Sequence, residues 1–276
     1  MNASTETLFK SIDEALCVPL DWNIGYRQVE FDVPPSVDLG LLVKKINEGE
    51  EIQPWHRIRF TIQHAKLNIY QLMPTCSHEQ AADLLTLFLY AEADLTRSLQ
   101  VEPRRHLKPT RCSTFLDQAA RTCGQADGSL RPNNTRNYGD WPSIVIEVGD
   151  NRSLSDLYNL ADRWFSMSAH QPRPVKTVVI VKLYPNTRRM RVEFFERSAQ
   201  TNATPPIHGT HIPNLGPYEW TQETLAPAAL QSIPDMYIPL AQLYDQAPGH
   251  LAANGPDLVV RALDVQRWVE DVLSSM

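Results

Sequence analysis

The sequence predicts an α/β fold in which a mixed β-sheet is flanked by helices. Two segments rich in valine and isoleucine, 143–148 and 175–183, have the apolar pattern of buried strands. Between them, residues 153–168 space their apolar side chains as a helix with one buried face. Residues 190–195 alternate and are expected to pair back as a hairpin. This order places a parallel crossover inside a mixed sheet.

The chain of 276 residues is expected to form a single domain, residues 1–276. Its core is expected at about 58–197, with an N-terminal helical extension at 1–57 and a proline-rich wrapping tail at 198–276. No stretch approaches the roughly 18 continuous apolar residues of a membrane span, and the first ten residues lack the apolar segment of a signal peptide. We therefore expect an intracellular protein, cytoplasmic or nuclear and not secreted, that does not contact a membrane. The sequence does not indicate an oligomeric state.

The charge of the chain is unevenly distributed, although its net value is −6. Residues 101–197 contain 16 Lys and Arg against 10 Asp and Glu, which gives +6. The remaining residues contain 10 against 22, which gives −12. A basic middle region fits contact with DNA or RNA, and an ordinary solvated surface explains it equally well.

The first third of the chain predicts two helices, a pair of strands and a longer helix. The helices are expected at 5–15 and 38–47, and the strands within 57–73, joined near 64–66. Ser77 is a suitable N-cap, and Gln80 completes a capping box for the longer helix. Its buried stripe is expected to contain Ala81, Leu84, Leu85, Phe88, Ala91, Leu95 and Leu99.

The remaining elements are shorter. Residues 104–111 predict a loop or an irregular edge, and 113–115 and 126–130 predict short strands. The tail is expected to have few elements of its own, apart from a docking segment at 238–244 and an amphipathic helix at 264–273.

Glu147 is a lone carboxylate in the middle of an apolar strand. A buried charge without a partner is costly, so Glu147 must meet a cation, a metal ion or a hydrogen-bond donor. Asp127 precedes the small residues Gly128 and Ser129 on the preceding predicted strand. Two carboxylates on adjacent strands are suited to a hard divalent cation. The alternative, that Glu147 pairs with an arginine, is equally consistent with the sequence.

The order of these residues resembles the PD-(D/E)XK nuclease superfamily, in particular its fungal and bacterial members described only as restriction-endonuclease-like. The resemblance covers about residues 58–197. The matching stretches are 73–74, 77–79, 113–115, 126–132, 142–149, 162–165 and 178–183. It implies a restriction-endonuclease-like mixed sheet flanked by helices, with N- and C-terminal extensions.

The resemblance also implies roles for individual residues. Asp127 and Glu147 match the two acidic residues that bind Mg²⁺ or Mn²⁺ in active members. Glu79 matches an acidic residue that assists the metal in some members, and His78 beside it is a further candidate. Because a carboxylate in the first turn also stabilises a helix through its dipole, Glu79 has a second explanation.

The sequence departs from the family at the catalytic lysine, whose position is occupied by Gly149. In active members this lysine orients the attacking water and offsets charge that develops on the phosphate. Lys182, on the neighbouring central strand, and Arg163, on the crossover helix, are candidate replacements. Arg163 stays protonated and so is suited only to stabilising negative charge. The alternative for Lys182 is that its ammonium extends to solvent.

Three functions follow from these residues. The resemblance makes Mg²⁺-dependent hydrolysis of phosphodiester bonds in nucleic acid the default expectation. A catalytically degenerate pseudo-nuclease that acts as a binding module is favoured by Gly149 and by the overall acidity. The third function is small-molecule chemistry in which the acidic cleft transfers protons.

Overall fold

The computed structural model describes most of the chain and confirms a mixed α/β fold. The described residues are 3–16, 26–48, 57–72, 75–95, 107–110, 113–137, 139–198, 208–221, 224, 234–247, 249–252 and 255–276. The chain divides into two compact units, Met1–Pro74 with Thr114–Gln125 and Thr75–Ser113 with Ala126–Met276. None of the helices in the described ranges is long and apolar enough to cross a membrane.

Helices and strands occur in both units. The helices are α1 (Ala3–Leu16), α2 (Leu39–Glu48), α3 (Cys76–Leu95), α4 (Leu154–Met167), α5 (Leu240–Leu243), α6 (Gly249–Ala252) and α7 (Ala262–Ser274). The strands are β1 (Tyr26–Asp32), β2 (Arg57–Gln63), β3 (Lys66–Leu72), β4 (Leu107–Pro109), β5 (Thr114–Asp117), β6 (Thr122–Gln125), β7 (Gly128–Pro132), β8 (Ile144–Gly149), β9 (Thr177–Tyr184), β10 (Arg189–Arg197), β11 (Gly209–His211), β12 (Tyr218–Thr221), β13 (Met236–Pro239) and β14 (Asp257–Val260).

The first unit contains an antiparallel sheet with the strand order β1-β3-β2-β6-β5. Helices α1 and α2, which the sequence predicts, contribute Ile12 and Leu42 to its apolar core. The predicted strand pair is confirmed as β2 and β3. His64 and Ala65 close this hairpin with φ values of 52° and 58°, as its two-residue turn requires.

The second unit contains a larger mixed sheet with the strand order β11-β10-β9-β8-β7-β4, and β12 also pairs with β10. Strands β8 and β9 are parallel and are connected by α4, which confirms the predicted crossover. Strand β10 pairs back on β9 after a short helical turn at Pro185–Thr187, as predicted.

Alternate residues of β8 point to opposite faces of this sheet. Ile146 belongs to an apolar core that also contains Leu85 of α3 and Val269 of α7. Glu147 faces the other side, where it contacts Trp164 of α4. Helix α4 therefore covers the face that carries the predicted catalytic carboxylate.

The start of α3 differs from the sequence prediction. The helix begins at Cys76, and Thr75 accepts the His78 N–H on its hydroxyl at 3.2 Å, so Thr75 and not Ser77 is the N-cap. Ser77 lies in the first turn, where its hydroxyl is 2.9 Å from that of Thr75. Thr and Ser are both good caps, so a local pattern containing both did not determine where the helix starts.

Several short strands were not predicted. Residues 107–109 form the edge strand β4, β1 lies within the region predicted as a helical extension, β6 was missed, and the tail supplies β11, β12 and the two-stranded sheet of β13 and β14. Strands of three or four residues depend on their pairing partners more than on their own pattern. The docking segment is confirmed, because Leu243 and Tyr244 are buried in the core, and so is the terminal helix, α7. The predicted positions 73–74, 99, 104–106 and 111 lie outside the described residues.

Candidate functional site

The carboxyl ends of β8 and β9 bring several polar residues together. Ligands of open α/β sheets generally bind at this end of the strands. Gly149 and Lys182 lie in register across the parallel pair, and Asp150 follows Gly149 directly. The Lys182 ammonium donates to the Asp150 carbonyl oxygen at 2.6 Å and lies 5.1 Å from the centroid of the Tyr184 ring.

Lys182 does not extend to solvent, because only 7% of the residue is exposed. Burial lowers the pKa of its ammonium, and the nearby charge of Asp150 offsets this in part. The solvent-exposed alternative for Lys182 is therefore wrong. The lysine occupies the strand next to the family's catalytic position, at the same level of the sheet.

Asp127 and His78 form a buried pair at the same end of β8. One Asp127 oxygen accepts the Val148 N–H at 2.9 Å, and the other lies 3.4 Å from Nε2 of His78. Burial lowers the pKa of His78, but the charge and hydrogen bond of Asp127, with the charges of Asp150 and Glu79, raise it above its ordinary value. This environment favours the imidazolium form.

Thr75 connects the start of α3 to the end of β8. Its hydroxyl donates to a carboxylate oxygen of Asp150 at 3.3 Å. The sequence prediction missed Thr75 and Asp150, although Asp150 directly follows the predicted strand. We refer to Thr75, His78, Asp127, Asp150 and Lys182 as the strand-end cluster.

Glu147 lies beneath α4 and directly precedes Val148, whose amide binds Asp127. Its Oε1 atom accepts the indole N–H of Trp164 at 2.7 Å, and the two residues are 3% and 0% exposed. Trp164 is in turn packed edge to face against Trp141, with ring centroids 5.9 Å apart. A donor on the crossover helix thus occupies one oxygen of the carboxylate that the resemblance assigns to a metal ion.

A second buried carboxylate lies on the same face of the sheet. Glu193 of β10 is 0% exposed, and its Oε1 atom accepts the Tyr158 hydroxyl at 2.8 Å and Nε–H of Arg191 at 2.6 Å. Its Oε2 atom is 3.4 Å from Nε2 of His211. Burial, together with Glu193, raises the pKa of Tyr158 to about 12. Glu193 is the only acidic residue of the predicted strand 190–195, which is the signal that identified Glu147, but it was missed.

Gly149 has a packing role in the structure. A Cβ atom at this position would lie 2.9 and 3.0 Å from the Leu157 methyl carbons and 3.3 Å from Cβ of Arg152. The space in which the family's lysine would begin is therefore filled by α4. Glycine permits this close approach of helix and strand.

We expect Gly149→Ala to lower the free energy of unfolding by about 1–3 kcal/mol, because the added methyl group overpacks the contact with Leu157. Gly249→Ala is the matched control, since nothing lies within 4 Å of a Cβ atom there. Urea denaturation of both variants measures the difference. Wild-type stability of Gly149→Ala would contradict the packing role.

The sequence-predicted residues lie on α3, β8, β9 and α4 and directly before β7. His78 and Asp127 belong to the strand-end cluster, Glu79 lies in the first turn of α3 near His78, and Glu147 is under Trp164. Arg163 lies partly exposed on α4.

The two carboxylates that the resemblance assigns to a metal ion each accept a hydrogen bond from a protein donor. Asp127 is engaged by a strand amide and an imidazole, and Glu147 is engaged by an indole. Across the described parts of the chain, no three His, Cys, Asp or Glu side chains form a group that could hold a metal ion.

Comparison of the sequence with protein-family models gave no match, and comparison with curated proteins gave no significant match. The resemblance to PD-(D/E)XK proteins therefore depends on the residues quoted above.

Proposed function

We propose that the second unit is a catalytically degenerate PD-(D/E)XK-like module that binds a ligand and does not hydrolyse phosphodiester bonds. The observation that carries this proposal is the hydrogen bond from Trp164 to Glu147. A metal-dependent nuclease needs that carboxylate available to the metal and a cation near the attacking water. The packing of Leu157 against Gly149 supports the proposal, because it leaves no space for a lysine at the family position.

Aromatic residues of helix α4 donate a hydrogen bond to each of two buried carboxylates, Glu147 and Glu193. Tyr158 donates to Glu193 as Trp164 donates to Glu147. Aromatic donors supply the hydrogen bonds that a buried carboxylate needs without adding a metal ion. The resemblance assigns no catalytic role to Glu193, although Glu193 binds an aromatic donor of α4 as Glu147 does. This supports a structural role for Glu147.

Burial removes charges of both signs from the surface of the middle region, because three acidic residues, Asp127, Glu147 and Glu193, are buried as well as four basic ones. Arg131, Arg136, Arg152 and Lys182 are all buried. Arg191 is partly buried and pairs with Glu193. Burial therefore changes the positive balance of this region little, and a binding measurement decides whether it contacts DNA or RNA.

The proposal is tested with single- and double-stranded DNA and RNA in the presence of excess Mg²⁺ or Mn²⁺. We expect no metal-dependent cleavage above the background of the Glu147→Gln variant. Cleavage by the wild type that both Asp127→Asn and Glu147→Gln abolish would contradict the proposal.

The same samples report nucleic-acid binding by fluorescence polarisation. An affinity that falls steeply with salt and does not depend on metal would identify nucleic acid as the partner. No binding at low salt would direct the search to a small molecule or a protein.

A second candidate function is acid–base chemistry on a small molecule at the strand-end cluster. It is favoured by the pairing of His78 with Asp127 and by the buried Lys182 at the same strand ends. Metal-independent hydrolysis of a chromogenic phosphate ester, lost in His78→Gln, would favour this function over the binding module.

A further inference from the structure

Two cavities of about 470 and 550 Å³ open in the second unit near the amino end of β9. They share Lys176 and Asp245 in their linings. Lys176 is six residues from Lys182 on an extended strand, so these cavities lie about 20 Å from the strand-end cluster. Their volumes fall in the range of sites for small organic ligands. We refer to the two cavities together as the amino-end pocket.

Lys176 and Arg197 are partly buried cations in the lining of the smaller cavity. The Lys176 ammonium donates to the Ala241 carbonyl at 3.1 Å. Nη2 of Arg197 donates to the Phe165 carbonyl at 2.8 Å and to the Ser168 hydroxyl at 3.0 Å. All of these acceptors are neutral. Among the described residues, no carboxylate oxygen lies within 4.0 Å, the limit for an ion pair, of the Lys176 ammonium or the Arg197 guanidinium.

The electrostatic environment of these cations is unfavourable without a counter-ion. Burial lowers the pKa of Arg197, and it also lowers that of Lys176, where Asp245 offsets it only in part. The buried Nε–H of Arg197 has no acceptor among the residues that the structure describes. A bound anion would stabilise these two partly buried cations.

The carboxylates in the lining already have partners. Asp245 accepts two hydrogen bonds from Arg136, at 2.6 and 2.7 Å, and one from Thr135 at 3.1 Å. Glu196 accepts a hydrogen bond from the side-chain amide of Gln242. The lining of the smaller cavity has an excess of positive charge, because its three cations, Arg173, Lys176 and Arg197, outnumber these two carboxylates.

The rest of the amino-end pocket is largely apolar. The smaller cavity is lined by Pro172, Pro174 and Val175, and the larger by Leu240 and Pro256 among others. We propose that the amino-end pocket binds a small organic oxyanion, whose carboxylate or phosphate group lies between Lys176 and Arg197 and whose apolar body extends into the larger cavity. Lysine and arginine are both suited to these anionic groups. This proposal does not depend on whether the strand-end cluster is catalytic.

The test uses hexanoate, hexyl phosphate, inorganic phosphate and the neutral 1-hexanol as probes of the whole chain. Thermal unfolding and calorimetric titration measure binding. We expect saturable stabilisation by hexanoate or hexyl phosphate that clearly exceeds that by 1-hexanol. Lys176→Met should weaken anion binding about tenfold or more, because it keeps the side-chain volume and removes the charge. Lys108→Met, the same change at a partly buried lysine of β4, should leave binding unchanged.

The probes distinguish the two sources of the oxyanion. Binding of hexanoate alone identifies a carboxylate, binding of hexyl phosphate and inorganic phosphate identifies a phosphate, and either result supports the proposal. Equal binding of 1-hexanol, or no saturable binding of any anion to the wild type at millimolar concentration, would overturn it. Should Lys176→Met fail to fold, the wild-type comparison of hexanoate with 1-hexanol still decides the question. Cleavage of nucleic acid has no bearing on this outcome.

Discussion

Arg136→Ala is expected to lower the free energy of unfolding of the second unit by about 3–5 kcal/mol, as removal of one partner from a buried ion pair does. The Arg136 side chain is 0% exposed and pairs with Asp245 through two hydrogen bonds of 2.6 and 2.7 Å. It also donates to the carbonyls of Trp141 and Pro174 at 2.8 and 3.0 Å. The variant leaves a carboxylate and two carbonyls without these donors.

The loss of stability in Arg136→Ala should depend on pH in a defined direction. Burial raises the pKa of Asp245, but the hydrogen bonds and charge of Arg136 lower it more, so its pKa is below the ordinary 3.8. A lowered pKa in the folded state gives stability that is present above pH 3.8 and is lost as the pH falls through the lower value. The difference between wild type and Arg136→Ala should therefore persist at neutral pH and decrease only in acid.

Urea denaturation measures this difference, with Arg267→Ala as the control. Arg267 is 68% exposed and lies 3.5 Å from Asp264 on the same helix, so its removal should change stability by no more than about 0.5 kcal/mol. A loss below about 1 kcal/mol in Arg136→Ala would contradict the role of the pair. A confirmed loss would show that the ion pair of Arg136 with Asp245, which lines the amino-end pocket, stabilises the second unit.

Trp164→Phe is expected to lower the free energy of unfolding by about 2–4 kcal/mol. The change removes the indole N–H that lies 2.7 Å from Oε1 of Glu147 and replaces a fully buried ring by a smaller one. Glu147→Gln is expected to cost less, because the amide oxygen can still accept from the indole.

A double-mutant cycle isolates the contact between these two side chains. The penalty of Trp164→Phe should be smaller in the Glu147→Gln background, by about 1–2 kcal/mol, because no buried charge then loses its donor. Urea denaturation of the wild type and the three variants provides the four free energies. Additivity within about 0.5 kcal/mol would mean that the indole does not support the carboxylate.

The central part of the fold could be predicted because its signals are local and agree with one another. Ser153 and Asp156 form a capping box, with the hydroxyl accepting the Asp156 N–H at 3.1 Å and the carboxylate accepting the Ser153 N–H at 3.3 Å. Apolar runs on both sides of the helix identify β8 and β9. In contrast, β6 contains Thr122, Cys123, Gly124 and Gln125, a mixture whose extended form depends on pairing with β2 and β5.

The candidate site could be predicted only in part. The sequence indicates that Glu147 needs a partner, but the choice among a metal ion, an arginine and a hydrogen-bond donor depends on how α4 lies on the sheet. That packing places Trp164 over Glu147 and Leu157 beside Gly149. The contact of His78 with Asp127 likewise requires the start of α3 to meet the end of β8, which no local pattern specifies.

The most direct test of the proposed loss of metal chemistry is an anomalous difference map from crystals grown with Mn²⁺. The proposal predicts no manganese peak within about 2.6 Å of the carboxylate oxygens of Asp127 or Glu147. It also predicts that the Trp164 indole remains 2.7 Å from Glu147. A manganese ion bridging Asp127 and Glu147, with the indole N–H displaced, would contradict the proposal. It would favour metal-dependent hydrolysis of phosphodiester bonds instead.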